Sequence, residues 1–155
     1  MTFQIHALPS SAYTDFFSLS DDELKRSNIV KTIVEEEHSY PCRVSLADAE
    51  IGETVILVNH THLDEASPYH ASHAIFVREN ATQAHPVADS VPRMIASRLI
   101  SVRAFDSLHL MLTADVVEGG DLKQIINQMF KDSKVQYLHL HYARPGCYAA
   151  KVTRT

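Results

Sequence analysis

The stretch "NHTHLDEASPYHASH" places His60, His62, His70 and His73 within residues 59–73, and "YLHLHY" adds His139 and His141 further along. Imidazole is the side chain best suited to hold a transition metal or to carry a proton near neutral pH. Alternate residues of an extended chain share a face. His60 and His62 therefore sit together, as do His139 and His141. Leu138, Leu140 and Tyr142 occupy the opposite face and read as core, so His139 and His141 line up with Tyr137 in solvent or in a cleft. Two such histidines supply two nitrogen ligands to one ion, and a third from elsewhere leaves an open catalytic position. The metal set on offer is His62, His73, His139 and His141, with zinc the obvious ion. The competing reading is structural, with the histidines at a strand surface or buried and hydrogen-bonded. No carboxylate lies at ligand spacing beside them, which favours the structural reading over a metal cofactor.

Cys42 is followed directly by Arg43, and a guanidinium can hold a thiolate if a histidine also lies near. A cysteine entering a strand is more often a small buried hydrophobe, and the same holds for Cys147. Arg43, Arg78 and Arg103 lie in or beside apolar strands, where a long charged side chain needs a partner. Ion pairs, for instance with Asp106 or Glu79, are the simplest account of any one of them. As a set they fit a carboxylate or phosphate, which the guanidinium fork matches. Tyr69, after Pro68, reads as a loop anchor. Arg43, His62, Tyr69, His73, Arg103 and His141 together point first to a polar cleft for a small, anionic ligand. The second expectation is a metal-assisted hydrolase, with the ion activating water and a histidine moving protons. The third is a structural or protein-interaction module whose edge strand recruits a partner or a second copy as a homodimer.

The wider composition narrows these choices. A chain of 155 residues is the size of one domain, and 45% apolar with 21% charged residues is ordinary for a globular protein. A formal charge of −5 argues against nucleic acid and against anionic membrane surfaces as partners. The opening "MTFQIHALPSSAYTDFF" lacks the basic-then-apolar pattern of a secretory leader, and no apolar run is long enough to span a bilayer. Two cysteines without zinc-ribbon spacing read as reduced thiols in a cytoplasmic protein. Phosphate-cradling Gly-rich loops, a G-x-S-x-G elbow and an H-E-x-x-H helix are all missing.

The elements that must position these residues follow from periodicity and turn chemistry. "FQIHALP" reads as a strand stopped by Pro9, and "SSAYTDFF" and "SDDELKRSN" read as helical, the latter with Ser20 and Glu23 at capping-box spacing. "IVKTIV" and "CRVSLA" are extended candidates on either side of a solvated "EEEHSYP" turn. "ETVILVNHTH" and "HAIFVRE" are strands flanking the ten residues "LDEASPYHAS", a long loop of the kind that carries function. "DSVPRMIASRL" has helical spacing at Val91, Ile95 and Leu99. "ISVRAFD" and "LHLMLTADVV" are strands, and "DLKQIINQMF" is an amphipathic helix capped by Asp121. "VQYLHLHYA" and "CYAAKVTR" form a hairpin about a type II turn at Pro145-Gly146. This predicts an α+β fold: a largely antiparallel sheet with two to four helices in a single compact domain.

In order, "YPCRVSLADAEIGETVILVNHTH", "PYHASHAIFVRE", "SVRAFD" and "YLHLHYARPGCYAAKVTR" resemble the bacterial domain-of-unknown-function family 1203, from about residue 3 to the end. The resemblance implies a bacterial, intracellular, single-domain protein and brings no activity, substrate or cofactor. Cys42, Arg43, Gly52, Glu53, Pro68, Tyr69, His73, Phe76, Arg103, Asp106, Gly146, Cys147 and Arg154 match the family pattern, as do His62, His139 and His141. His60 and His70 depart from it, where a tyrosine and an arginine belong. The resemblance therefore favours His62 and His73 over the two imidazoles beside them.

Overall fold

The computed structural model describes residues 2–155. Its strands are β1 (Phe3–His6), β2 (Val30–Ile33), β3 (Thr54–Leu63), β4 (Ala71–Arg78), β5 (Leu99–Phe105), β6 (Met111–Glu118), β7 (Tyr137–Tyr142) and β8 (Tyr148–Arg154). Three α-helices accompany them: α1 (Asp21–Arg26), α2 (Arg93–Ala96) and α3 (Leu122–Met129). The strands form two antiparallel sheets, in the orders β1-β8-β7-β5-β6 and β2-β3-β4. The mixed α+β class stands, but the protein is richer in β-structure than expected and divides its strands between two sheets. No helix among the described residues is long and apolar enough to cross a membrane.

Local chemistry explains most of the elements. Ser20 and Glu23 form the capping box of α1, with the Glu23 N–H donating to Ser20 Oγ at 3.3 Å and the Ser20 N–H to Glu23 Oε2 at 2.7 Å. Leu122 and Ile126 are the fully buried positions of α3, matching its apolar stripe. Asp121 does not cap it: a 3₁₀ turn, Gly119–Asp121, precedes the helix, so Asp121 is already near-helical and its side chain makes no capping bond. Gly146, at φ +82°, supplies the left-handed position of the β7–β8 turn.

Other expectations shift. "SSAYTDFF" forms two 3₁₀ turns, Ser10–Ala12 and Thr14–Ser18, neither with a side-chain cap, that carry Tyr13 into an apolar cluster. The helix expected around Val91, Ile95 and Leu99 shrinks to the single turn of α2, because Pro92 holds its predecessor extended and Leu99 already begins β5. "CRVSLA" is not a strand. It holds one isolated bridge, Cys42 to Phe76, is flanked by another, Pro41 to Asp48, and turns back through Leu46 at φ +49°.

Each sheet has one apolar face. Ile100, Val102, Ala104, Leu138, Leu140 and Val152 pack in one cluster with Ile95, Leu122, Ile126 and Phe130 from the helical side. Ile56, Val58, Ile75 and Val77 of the smaller sheet cluster with Tyr13, Leu24, Cys42 and Val44. Further along that same face, in register, come His60 opposite His73, and then His62. The apolar face thus ends in imidazoles.

The α2–β6 junction depends on a missing side chain. A Cβ on Gly119 would lie 2.4 Å from the Ile95 carbonyl oxygen and 2.6 Å from that of Ala96. Gly119→Ala is therefore expected to destabilise the protein by about 2 kcal/mol or more in urea unfolding. Gly120→Ala, where a Cβ meets nothing within 4 Å, should shift stability by only about 0.5 kcal/mol.

Candidate metal centre

Every residue of β7 is buried, so the face carrying Tyr137, His139 and His141 is covered and not solvent-exposed. What meets it is the imidazole end of the smaller sheet. One ring nitrogen from each of His62, His139 and His141 lies within 4.8 Å of the other two. The His62 ring stands nearly perpendicular to both partners, with centroids 5.7 Å from His139 and 4.8 Å from His141.

Two backbone irregularities build this convergence. The β3–β4 register slips between Thr61 and Leu63, leaving His62 as the extra residue of a bulge. The β7–β8 register slips between Leu140 and His141, which sets Tyr148 opposite His141. Bulges of this kind re-aim side chains locally. The Tyr148 ring stacks parallel on His62 at 5.4 Å and 4°, and stands edge-on to His139 and His141.

The hydrogen bonding leaves nitrogen lone pairs or N–H groups unmatched. His141 Nδ1 lies 2.9 Å from the Gly146 carbonyl oxygen. A carbonyl only accepts, so Nδ1 carries the hydrogen and Nε2 carries the lone pair. That Nε2, together with His62 Nδ1 and His139 Nδ1, is buried with no partner among the described residues. An unsatisfied buried polar atom costs about 1–3 kcal/mol, so three on facing rings call for an explanation. A ring anchored through one nitrogen to a carbonyl, with the other free, is also how metal-bound histidines are oriented.

Burial is the main influence on all three rings. It draws His62 down to about 4 and His139 and His141 to about 3, with the neighbouring histidines and Arg103 adding to the effect. The Gly146 bond opposes this at His141. At neutral pH the trio is uncharged, the form that binds metal.

Arg103 projects from β5 directly opposite His139 in register. Its Nε donates to Ser101 Oγ at 3.3 Å, and among the described residues it has no salt-bridge partner. It is a half-buried cation at the edge of three neutral rings.

The remaining site residues lie at varying distances. His73, half-buried, sits opposite His60 and is close enough to influence His62 and His141 electrostatically, but it is outside the converging trio. His60 turns its Nδ1 to the Tyr13 hydroxyl at 3.3 Å, and exposed His70 lies near Asp64. Tyr69 is exposed and meets Phe105 edge-on at 5.9 Å, with Phe105 in turn against His139. Arg43 is fully buried behind Tyr148, donating through Nε to the Tyr148 carbonyl at 2.8 Å.

The ion pairs fall elsewhere than expected. Arg78 pairs with Glu53 and not Glu79, while Asp106 accepts the Leu108 and Leu110 N–H groups of its own turn. Cys42 accepts from the Ser45 and Arg78 backbone N–H groups and serves the core. Tyr148 and the Gly146 carbonyl were not among the sequence candidates, because only the bulge in the hairpin brings that tyrosine to His141.

Two antiparallel sheets whose facing ends contribute three neutral imidazoles define a β-rich α+β protein with a tri-histidine cluster. The chain belongs to the family described as "Protein of unknown function (DUF1203)", whose model matches residues 39–154. The match begins later than the expected residue 3 and includes all three clustered histidines. No curated protein matches the chain, and no solved structure matches it.

The depressed histidines predict an acid limb of stability. In the unfolded chain each ring protonates near pH 6.5, whereas the folded rings resist until about 4 for His62 and about 3 for His139 and His141. The unfolded state therefore binds more protons in that window, so stability is complete above pH 6.5 and falls as pH drops. Each buried ring contributes a slope of about 1.4 kcal/mol per pH unit, and half-buried His62 less. Urea midpoints should fall between pH 6.5 and 5, before carboxylates titrate. A His139→Gln/His141→Gln variant should flatten that limb by about two protons; an unchanged slope would mean the rings are solvated in solution.

Proposed function

We propose that His62, His139 and His141 bind one divalent transition-metal ion of the zinc class, and that this ion, with Arg103, holds a small anion at the remaining coordination position. The observation that carries the reading is the convergence of three rings whose buried nitrogens lack partners. Zinc–nitrogen bonds of about 2.0–2.1 Å place tetrahedral ligands about 3.4 Å apart. Nitrogens already within 4.8 Å reach that spacing by small ring rotations.

The charge balance specifies what fills the fourth position. All three ligands are neutral, so they leave the ion's double charge uncompensated, and unpaired Arg103 adds another positive charge beside it. A hydroxide, carboxylate or phosphate oxygen answers both. Three-nitrogen sites also bring bound water to a pKa of about 7, which makes metal-bound hydroxide available as a nucleophile. The chemistry this supports is hydrolysis of a small anionic substrate, with His73 placed to carry a proton at the half-buried margin. Metal and anion thus belong to one site.

Protein purified without a polyhistidine tag and supplied with zinc should carry one ion per chain by native mass spectrometry. His139→Ala or His141→Ala should weaken zinc binding by about a hundredfold or more, with far-ultraviolet circular dichroism unchanged. In the cobalt-loaded protein, added phosphate should shift the visible spectrum, and Arg103→Ala should weaken that response about tenfold while leaving cobalt bound. Zinc retained after removal of both β7 histidines would overturn the assignment.

A further inference from the structure

Arg43 and Tyr142 line a cavity of about 490 Å³, open at one side, that includes none of the three clustered histidines. Its apolar walls include Pro41, Phe76, Leu99 and Pro145. Its ionisable nitrogen side chains are Arg43, Arg98, Arg144 and His38, against the single acid Glu118. Arg98 is already answered by Asp48, at 2.6 Å. Arg43 and Arg144 have no carboxylate partner among the described residues.

Arg43 is the unusual member. It is 1% exposed, and it donates only to neutral groups: the Tyr148 carbonyl at 2.8 Å, the Pro41 carbonyl, and Cys147 Sγ at 3.0 Å. A guanidinium has five N–H donors, so three such bonds leave donors over and the charge uncompensated. Tyr142, 3% exposed, provides the second observation. Its ring lies 5.0 Å from the Arg43 guanidinium and 5.3 Å from that of Arg98, and its hydroxyl is buried with no hydrogen-bond partner. A buried cation and an orphaned hydroxyl on one cavity wall are what an oxyanion would satisfy.

We infer that this cavity is a second ligand site, separate from the histidine cluster, for a small organic monocarboxylate with an apolar body. Its carboxylate takes the Tyr142 hydroxyl and the spare Arg43 donors, and Arg144 closes over it from the exposed turn. The apolar body lies against Phe76 and Leu99. One buried uncompensated charge matches a monoanion, and Glu118 at the same cavity disfavours a more highly charged ligand. The volume suits a metabolite-sized molecule.

The test is an amide-resolved NMR titration with 3-phenylpropionate, chelator present so that no metal site competes, and with 3-phenyl-1-propanol as the uncharged control. The carboxylate should saturate with a dissociation constant of about 1 mM or tighter, moving the Phe76, Leu99 and Cys147 amides most. The alcohol should bind at least about tenfold more weakly. Tyr142→Phe and Arg144→Ala should each weaken the carboxylate by about five- to twentyfold. Tyr142→Phe should keep the native melting temperature, since the hydroxyl it removes has no partner in the free protein. Equal binding of the alcohol, shifts centred on His62 and His139, or no saturation by the carboxylate would each overturn the inference.

Discussion

One buried arginine joins the two sheets, through its backbone to one and its guanidinium to the other. The Arg43 N–H donates to the Phe76 carbonyl of β4 at 3.1 Å, while Arg43 Nε donates to the Tyr148 carbonyl of β8 at 2.8 Å. Its own carbonyl accepts the Leu8 N–H at 3.0 Å, drawing in the N-terminal segment. A charge buried this deeply is tolerated only when its donors are used and its surroundings polarise toward it. Two carbonyls, a thiol and the Tyr142 ring do this only in part, since three bonds to neutral acceptors leave guanidinium donors over. The 41–46 segment that carries this arginine is irregular, with isolated bridges and a turn through Leu46. Tyr148, held through its backbone by Arg43, then presents its ring to His62.

The relative placement of the sheets decides what β7 faces. Its even-numbered side packs as an ordinary apolar core against α2 and α3. Its odd-numbered side carries imidazoles, and the smaller sheet brings a third to meet them. Leucine at these positions would pack without orphaned polar atoms and would stabilise the domain. Three imidazoles with buried, unmatched nitrogens instead cost stability, and proteins concentrate such local inconsistencies at functional sites. The metal ion proposed for this site would convert the cost into bonds. The Gly146 carbonyl prepares one of the rings by fixing its tautomer.

Some of this architecture was written in short-range pattern. Alternation in "YLHLHY" separated Leu138 and Leu140 from His139 and His141, Ser20 and Glu23 announced α1, and Pro145-Gly146 announced the terminal hairpin. Alternation says which residues share a face but not what covers that face, so burial of both sides of β7 was beyond it. A bulge is a one-residue slip in pairing and leaves no periodic trace, so the arrival of Tyr148 has no signal in the sequence, whereas His62 is a candidate there by residue type and position. The division into two sheets depends on long-range pairing that local pattern does not carry. Asp121 failed as a cap because the 3₁₀ turn at Gly119 had already begun the helix, a tertiary effect of the close approach to Ile95.

Whether the facing ends of the two sheets hold a metal ion can be seen directly. Anomalous diffraction at the zinc absorption edge, from crystals of tag-free protein grown with zinc, addresses it directly. One strong peak is expected about 2.0–2.1 Å from a ring nitrogen of each of His62, His139 and His141, with a fourth oxygen ligand on the Arg103 side. Zinc found only elsewhere on the chain, with the three rings packed as they stand, would contradict it.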